Sequence, residues 1–210
     1  MPLTLFGSPG SGSAAIEMAL HAVGLDYRIV RASEWEPDSA LPQLLTLNPL
    51  GQIPTLVLED GTVLSESAAI LIHLGLEFPA AGLLPTEPDR RARALRGLVF
   101  IAANCYAAIS VADYPERWTT ARSKPAQERV RQAARQQLHR RWEMFADLFD
   151  GDDLLPVARP GALAFLAVVV SRWSGARQHL QNTRPDFHRR LLELEAHPPI
   201  AQVLRDHAHG

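Results

Sequence analysis

The feature that most constrains the fold is a change in hydrophobic patterning partway along the chain. Up to residue 76, short apolar runs that favour strands alternate with segments of helical periodicity, in the order β-α-β-α-β-β-α. The stretch EFPAAGLLPTE then lacks periodicity and is typical of a linker, and the pattern after it is helical only. We therefore predict an α+β, two-domain protein: an α/β domain over residues 1–77, a linker over 78–87 and an all-helical bundle over 88–210.

Composition excludes several classes of protein. Lys and Arg number 21 against 23 Asp and Glu, a formal charge of -2, so there is none of the basic excess of a nucleic-acid binder. The longest uninterrupted apolar run, Ala162–Val170, is far shorter than the roughly 18 residues that a membrane span needs. A single cysteine excludes an internal disulfide, and the start of the chain lacks a secretory pattern. We expect a cytoplasmic protein that binds neither nucleic acid nor membrane.

The eight histidines show none of the spacings that hold metal ions, so no metal site is predicted. Two of them, His207 and His209, are expected to lie in a frayed C-terminal tail.

The loop after the first predicted strand carries a G-x-G-x-x-A pattern at Gly10–Ala15. This pattern occurs in dinucleotide-binding folds, where Glu34 or Glu36 would bind the ribose. Such folds need two βαβαβ halves, and a chain that becomes wholly helical does not supply them. Two simpler interpretations remain. The loop is a helix cap in which Ser11 or Ser13 bonds the first-turn N–H groups, or it is an anion site at the helix N-terminus.

A second constellation spans Asn48–Ile70. Pro54 stands at the start of a strand and is a candidate for a cis peptide bond. Ile53 before it would offer its backbone N–H and C=O to an extended peptide. Farther on, the N–H groups and the hydroxyl of Ser67 at a helix start suit a carboxylate, while Glu66 suits an ammonium group. Taken singly, each feature is also explained by helix capping or a hairpin.

These segments together resemble the glutathione S-transferase family, in which a thioredoxin-like domain precedes a helical one. The resemblance rests on LTLF, SPGSGSA, NPLGQIPTL, LEDGTVLSESAAI and the linker FPAAGLLP, and it continues in LVFIAANCYAAI and YPERWTT. The closest match of the loop is to bacterial, beta-class-like members. The resemblance covers nearly the whole chain and implies glutathione as co-substrate.

The resemblance implies a set of glutathione ligands in the first domain. Ile53, which precedes Pro54, would pair with the cysteinyl part of glutathione. Glu66 and Ser67 would hold its γ-glutamyl group, and Gln52 is assigned to the same site.

The chain departs from the beta-class loop S-P-G-A-C-S because Gly12 stands where the cysteine would be. A glycine cannot form a mixed disulfide with glutathione, so the sulfur would have to be held as a thiolate by hydrogen bonds. We predict Ser11 as the main thiolate donor. Ser13 is predicted to support it and to serve as the conventional helix cap.

Two more departures lie in the helical domain. Asn104-Cys105-Tyr106 stands where close relatives carry Glu-Leu-His, so Tyr106 is predicted to face the electrophile pocket, or else to be a packed core aromatic. By the same resemblance Asn104 would reach the glutathione of a partner subunit, and Cys105 is read as an inert buried thiol. Residues 159–162 lack the usual Ser/Thr-x-x-Asp capping box, which predicts a loss of stability rather than a different fold.

The leading functional prediction is a glutathione S-transferase, a homodimer that conjugates the thiolate of glutathione to a small electrophile. Two alternatives stay open: a non-catalytic binding or regulatory module of the same fold, and a glutathione-dependent isomerase or dehalogenase.

Overall fold

The computed structural model describes residues 2–208 of the 210-residue chain. The first half forms a four-stranded sheet of strand order β2-β1-β3-β4. Its strands are β1 (Thr4–Gly7), β2 (Arg28–Arg31), β3 (Thr55–Val57) and β4 (Val63–Ser65). β1 runs parallel to β2, whereas β3 is antiparallel to both β1 and β4. The Asp60-Gly61 turn joins β3 to β4 as the sequence predicts. Because the sheet contains both parallel and antiparallel pairs, it is a mixed sheet and not a doubly wound parallel one.

Three helices accompany the sheet: α1 (Ser13–Val23), α2 (Leu41–Leu47) and α3 (Ser67–Glu77). The apolar spacing that predicts α1 buries most of its length, and α1 ends at Gly24 in the left-handed conformation (φ 76°). The Gly24 N–H donates to the carbonyls of Leu20 and His21 and so closes the last turn.

The second half is helical throughout, which confirms the predicted two-domain α+β fold. Its helices are α4 (Pro88–Phe100), α5 (Ala107–Asp113), α6 (Lys124–Phe149), α7 (Ala162–Val170), α8 (Ala176–Thr183), α9 (Pro185–Ala196) and α10 (Pro198–Ala208). A π-helical segment, Ile101–Tyr106, joins α4 and α5 into one rod, which we call the α4–α5 rod. Short 3-10 turns cover Pro79–Ala81 and Pro115–Trp118.

The two halves share one hydrophobic core. α7 is the central element, because all nine of its residues are buried. α1 from the first domain packs against α7 and α10 from the second. The longest apolar run of the sequence is therefore a buried helix at the domain interface.

The start of α7 shows how the chain manages without a capping box. The Ala162 N–H donates to the backbone carbonyl of Leu83, in the segment that joins the domains, at 2.9 Å. Nearby, the Arg159 guanidinium donates to the Ala80 carbonyl at 2.9 Å. The backbone between the domains thus supplies the acceptor that a Ser or Thr side chain would otherwise provide.

The expectation of a frayed C-terminal tail is wrong at His207. Its Nδ1 accepts the Gly10 N–H at 3.1 Å, so Nε2 carries the proton and donates to Glu17 Oε1 at 2.7 Å. The last described turn of α10 is therefore fastened to α1 and to the loop after β1. His209 lies outside the described residues.

The α4–α5 rod contributes an apolar stripe to the core through Leu98, Ile101, Cys105 and Ile109. By length and composition alone, Pro88–Asp113 could cross a membrane. One such helix is weak evidence of a membrane span, because the core helix of a folded domain has the same length and composition. The Cys105 thiol is buried, and burial raises its pKa to about 12. The burial that the sequence predicts is confirmed, and a buried thiol with a raised pKa is a poor nucleophile.

Candidate functional site

A pocket of about 650 Å³ lies between the first domain and the α4–α5 rod. One wall comes from the loop after β1, the segment ahead of β3 and the start of α3. The opposite wall comes from the rod, the turn that follows it and the residues after α7. Most of the predicted site residues line it, namely Ser11, Gln52, Ile53, Pro54, Glu66, Ser67 and Tyr106. Ser13 and Asn104 are not among its lining residues.

The serine loop is tied together internally. The Ser11 and Ser13 hydroxyl oxygens lie 2.9 Å apart, and Ser11 Oγ accepts the Ser13 N–H at 3.2 Å. Ser13 is fully buried, and its Oγ accepts the Ser8 N–H and donates to the Ser8 carbonyl, each at 3.3 Å. The expectation that Ser13 caps the helix is therefore wrong, since Ser11 bonds the first helical N–H and Ser13 braces the loop. Their predicted catalytic roles remain predictions.

Glu36 anchors the same loop from the side. Its carboxylate accepts the Ser33 hydroxyl at 2.6 Å and also the Ser8 hydroxyl. These two hydrogen bonds hold the pKa of Glu36 below its usual value, and the bond from Ser33 has the larger effect. Glu36, one of the two carboxylates that the nucleotide interpretation offered to a ribose, thus accepts hydrogen bonds from two serine hydroxyls instead.

The segment ahead of β3 is held in one conformation by polar side chains. The Ile53–Pro54 peptide bond is cis, which confirms the sequence prediction. Asn48 Nδ2 donates to the Gln52 carbonyl at 3.2 Å, and the Thr55 hydroxyl donates to the same oxygen at 2.8 Å. Because these bonds fix the backbone, Ile53 stands at the pocket wall at the entrance to the sheet.

The start of α3 combines backbone strain with a free helix N-terminus. Glu66 has a φ of 67°, in the left-handed region that a residue with a β-carbon rarely adopts. Its carbonyl accepts the Ile70 N–H at 3.0 Å and so begins the helix. Ser67, the first helical residue, is buried against the pocket, whereas the Glu66 side chain is exposed. A helix N-terminus, whose N–H groups favour negative charge, and a carboxylate therefore adjoin in the pocket.

Tyr106 ends the π-helical segment and faces the same pocket. Its ring packs edge-on against Trp173 with centroids 5.6 Å apart. Its hydroxyl is buried and has no hydrogen-bond partner among residues 2–208. Asn104, two residues earlier, donates from Nδ2 to the Phe100 carbonyl at 3.1 Å. Its predicted role toward a partner subunit stays a prediction.

The outer part of the pocket is aromatic and carries one arginine. Trp35, Tyr114 and Trp173 line it. Arg117 stacks over the Tyr114 ring at 4.0 Å and pairs with the Glu34 carboxylate at 3.6 Å. This pair links the loop after β2 to the turn after α5, so it bridges the two walls at the pocket. The surface suits a flat, largely apolar molecule.

Sequence reasoning did not identify these outer residues as parts of the site. Trp35, Arg117 and Trp173 stand far apart in the chain and belong to no common motif. The only sequence feature that could have pointed to them is that each is a tryptophan or an arginine in a connecting segment. Such segments lie on the surface, where a large side chain serves binding more often than core packing.

Comparisons with known proteins agree with this geometry. A family model described as "Glutathione S-transferase, N-terminal domain" matches residues 13–76. A curated relative, the uncharacterized GST-like protein YncG of Escherichia coli K12, is 38% identical over 117 residues, which cover 55% of this chain and 57% of the relative. Matches to the first curated relatives span 40–57% of those proteins' own lengths, or about half.

Solved structures extend the likeness over the whole chain. A glutathione transferase homolog from Sulfitobacter, crystallised with bound glutathione, is 25% identical with a TM-score of 0.80 and covers 98% of both chains. The beta-class enzyme of Sphingomonas chungbukensis shares the fold at 21% identity and a TM-score of 0.74, over 97% of this chain and 98% of the other. Residues 13–76 thus match the N-terminal domain of glutathione S-transferases, and the whole chain has the fold of these enzymes.

Proposed function

We propose that the protein is a glutathione S-transferase that conjugates the sulfur of glutathione to a small, flat, mostly apolar electrophile. The observation that carries the proposal is one pocket that combines the start of α3, the backbone ahead of β3 and an aromatic outer wall. The first two features match a peptide with an amino-acid head group. The third matches a second, apolar reactant.

Glutathione fits the inner half of the pocket group by group. Its γ-glutamyl carboxylate would bind the α3 N-terminus and the Ser67 hydroxyl, where the helix dipole and free N–H groups favour negative charge. Its α-ammonium group would pair with the exposed carboxylate of Glu66. Its cysteinyl backbone would then pair with Ile53, as an added strand does at a sheet edge. This arrangement directs the thiol toward the loop that contains Gly12.

The proposed reaction begins when the bound thiol releases its proton to solvent and remains as a thiolate. The thiolate sulfur donates an electron pair to the electrophilic carbon, so a C–S bond forms. In a substitution the leaving group departs with the electron pair of its broken bond. In an addition to an activated double bond the resulting carbanion takes a proton from water. The protein contributes positioning and thiolate stabilisation rather than a nucleophile of its own.

The test is turnover of a panel of electrophiles by the purified protein with glutathione. The panel should include aryl halides, activated alkenes, isomerisable dienes and haloalkanes, each assayed with and without protein. We expect protein-dependent loss of free thiol together with a thioether product. Isomerised product without net thiol loss would support the isomerase instead. Halide release with oxidised glutathione as the second product would support the dehalogenase.

Glutathione binding without turnover of any panel member would favour the binding or regulatory module. Absence of both binding and turnover would contradict the proposal altogether.

We also propose that the protein works as a homodimer. Leu76 on α3 and Val99 on α4 are exposed apolar side chains, at 57% and 53%, on helices that pack against each other. Asn104 follows on the same rod and would reach the partner's glutathione. Light scattering at micromolar concentration should give about twice the chain mass of 23.1 kDa. A mass equal to one chain would contradict the dimer.

A further inference from the structure

Gly12 and Tyr106 occupy one space in the pocket. A Cβ built on Gly12 would overlap the Tyr106 hydroxyl oxygen and would lie 3.6 Å from Pro54 Cδ. The phenol oxygen, supplied by the helical domain, therefore fills the volume into which a residue-12 side chain would project. Any residue other than glycine at position 12 would have to displace this hydroxyl.

The glycine is needed for space rather than for conformation. Its φ and ψ of -65° and -11° are those of an ordinary right-handed residue, which any amino acid adopts. Replacing Gly12 by alanine would therefore strain nothing in the backbone, and the Tyr106 hydroxyl is the obstacle that a methyl group meets first.

The Tyr106 hydroxyl is also free to serve a ligand. It is buried, its ring is fixed against Trp173, and it has no hydrogen-bond partner within the described residues 2–208. A buried hydroxyl without a partner costs free energy, and a ligand atom in the pocket would satisfy it. Burial raises its pKa to about 12, so it keeps its proton near neutral pH. The Ser67 hydroxyl lies close enough to oppose this rise through a weak interaction, but it does not form a hydrogen bond of normal geometry with Tyr106.

We propose that the Tyr106 hydroxyl donates the hydrogen bond that stabilises the glutathione thiolate, in the space that the missing side chain at residue 12 leaves open. The proposal rests on the proposed function, because it assigns a further catalytic residue to that site. No bond is made or broken at Tyr106: the thiol proton passes to solvent, and the phenol keeps its own proton while its O–H points at the sulfur. The family's loop side chain is thus replaced by one from the other domain.

The experiment measures the thiol pKa of bound glutathione from the ultraviolet absorbance of the thiolate. It compares wild type, Tyr106→Phe and Tyr27→Phe. We expect Tyr106→Phe to raise this pKa by about one unit and to lower kcat/KM at neutral pH about tenfold. Tyr27→Phe is the matched control: it also removes one tyrosine hydroxyl, but Tyr27 does not line the pocket, so the thiol pKa should stay unchanged. Binding of S-methylglutathione, which has no thiol, should agree within about twofold between wild type and Tyr106→Phe.

A double-mutant cycle distinguishes the loss of one shared interaction from general structural damage, because damage at two separate sites would add. Gly12→Ala should raise the thiol pKa as Tyr106→Phe does, because the methyl group displaces the hydroxyl. The double variant should show about the same shift as either single one rather than the sum, because both remove the same interaction.

The outcomes separate the two proposals. If wild type binds neither glutathione nor S-methylglutathione, the proposed function fails and this inference fails with it. If wild type binds glutathione with a lowered thiol pKa that Tyr106→Phe leaves unchanged, only the assignment of Tyr106 is overturned. A shift in Ser11→Ala without one in Tyr106→Phe would give the role to the loop serine.

Discussion

Replacing Ser67 by alanine is expected to weaken glutathione binding about 10- to 100-fold, with little change in the stability of the protein. The substitution removes a hydroxyl at the start of α3, where the γ-glutamyl carboxylate is proposed to bind. A hydrogen bond to a charged group is worth about 1.5–3 kcal/mol, and about 1.4 kcal/mol corresponds to a tenfold change in the dissociation constant. Isothermal titration calorimetry measures this change directly.

Glu66→Gln tests the other half of the same head-group site. Its exposed carboxylate would lose the charge that pairs with the α-ammonium group but would keep its size and its backbone position. We expect a loss of affinity of up to about tenfold, which is smaller than the loss in Ser67→Ala because the Glu66 side chain is exposed and solvent screens the pair.

Ser123→Ala, at an exposed serine ahead of α6, is the matched control for Ser67→Ala and should bind glutathione like wild type. Wild-type affinity in both site variants would contradict the assignment.

Replacing Gly161 by alanine is expected to destabilise the protein by about 1–3 kcal/mol. An added Cβ would lie 2.7 Å from the Leu83 carbonyl oxygen and 3.2 Å from that of Gly82. The methyl group would push this backbone away from α7 and stretch the bond between the Leu83 carbonyl and the Ala162 N–H. The first helical N–H of the most buried helix would then lose its acceptor.

The sign of this effect identifies its cause. Gly161 has a φ of -111°, which alanine adopts without strain. If only backbone freedom mattered, alanine would stabilise the protein by about 0.4–1 kcal/mol by restricting the unfolded chain. Denaturant unfolding of wild type and variant should show a lower midpoint with an unchanged slope. A higher midpoint would mean that the Leu83 contact relaxes freely and does not act as the cap of α7.

The elements that local pattern determines were predictable from the sequence. The Asp60-Gly61 turn between two apolar runs gave the β3–β4 hairpin, and periodic spacing gave α1 with its stop at Gly24. Helix α8 was not predicted, because only Ala176 and Leu180 of its residues are buried and no apolar period stands out. Local signals suffice where one face of an element is strongly apolar, and they fail where tertiary contacts fix a polar segment.

The candidate site divides in the same way. Ile53, Glu66 and Ser67 could be proposed from the sequence because each belongs to a short motif whose chemistry can be read locally, and all three line the pocket. The overlap of Gly12 with the Tyr106 hydroxyl joins residues from two domains, so no spacing in the sequence reveals it. The hydrogen bond that the Gly10 N–H donates to His207 joins residues nearly a whole chain apart, which is why His207 was wrongly expected to lie in a frayed tail.

The most direct test of the account compares the binding of glutathione with that of cysteinylglycine, which lacks the γ-glutamyl head group. Calorimetric titration of the wild-type protein with each peptide needs no mutation and no electrophile. If Glu66, Ser67 and the α3 N-terminus hold the head group, glutathione should bind at least about tenfold more tightly than cysteinylglycine. Equal affinities, or no binding of glutathione, would contradict the proposal that this pocket is a glutathione site.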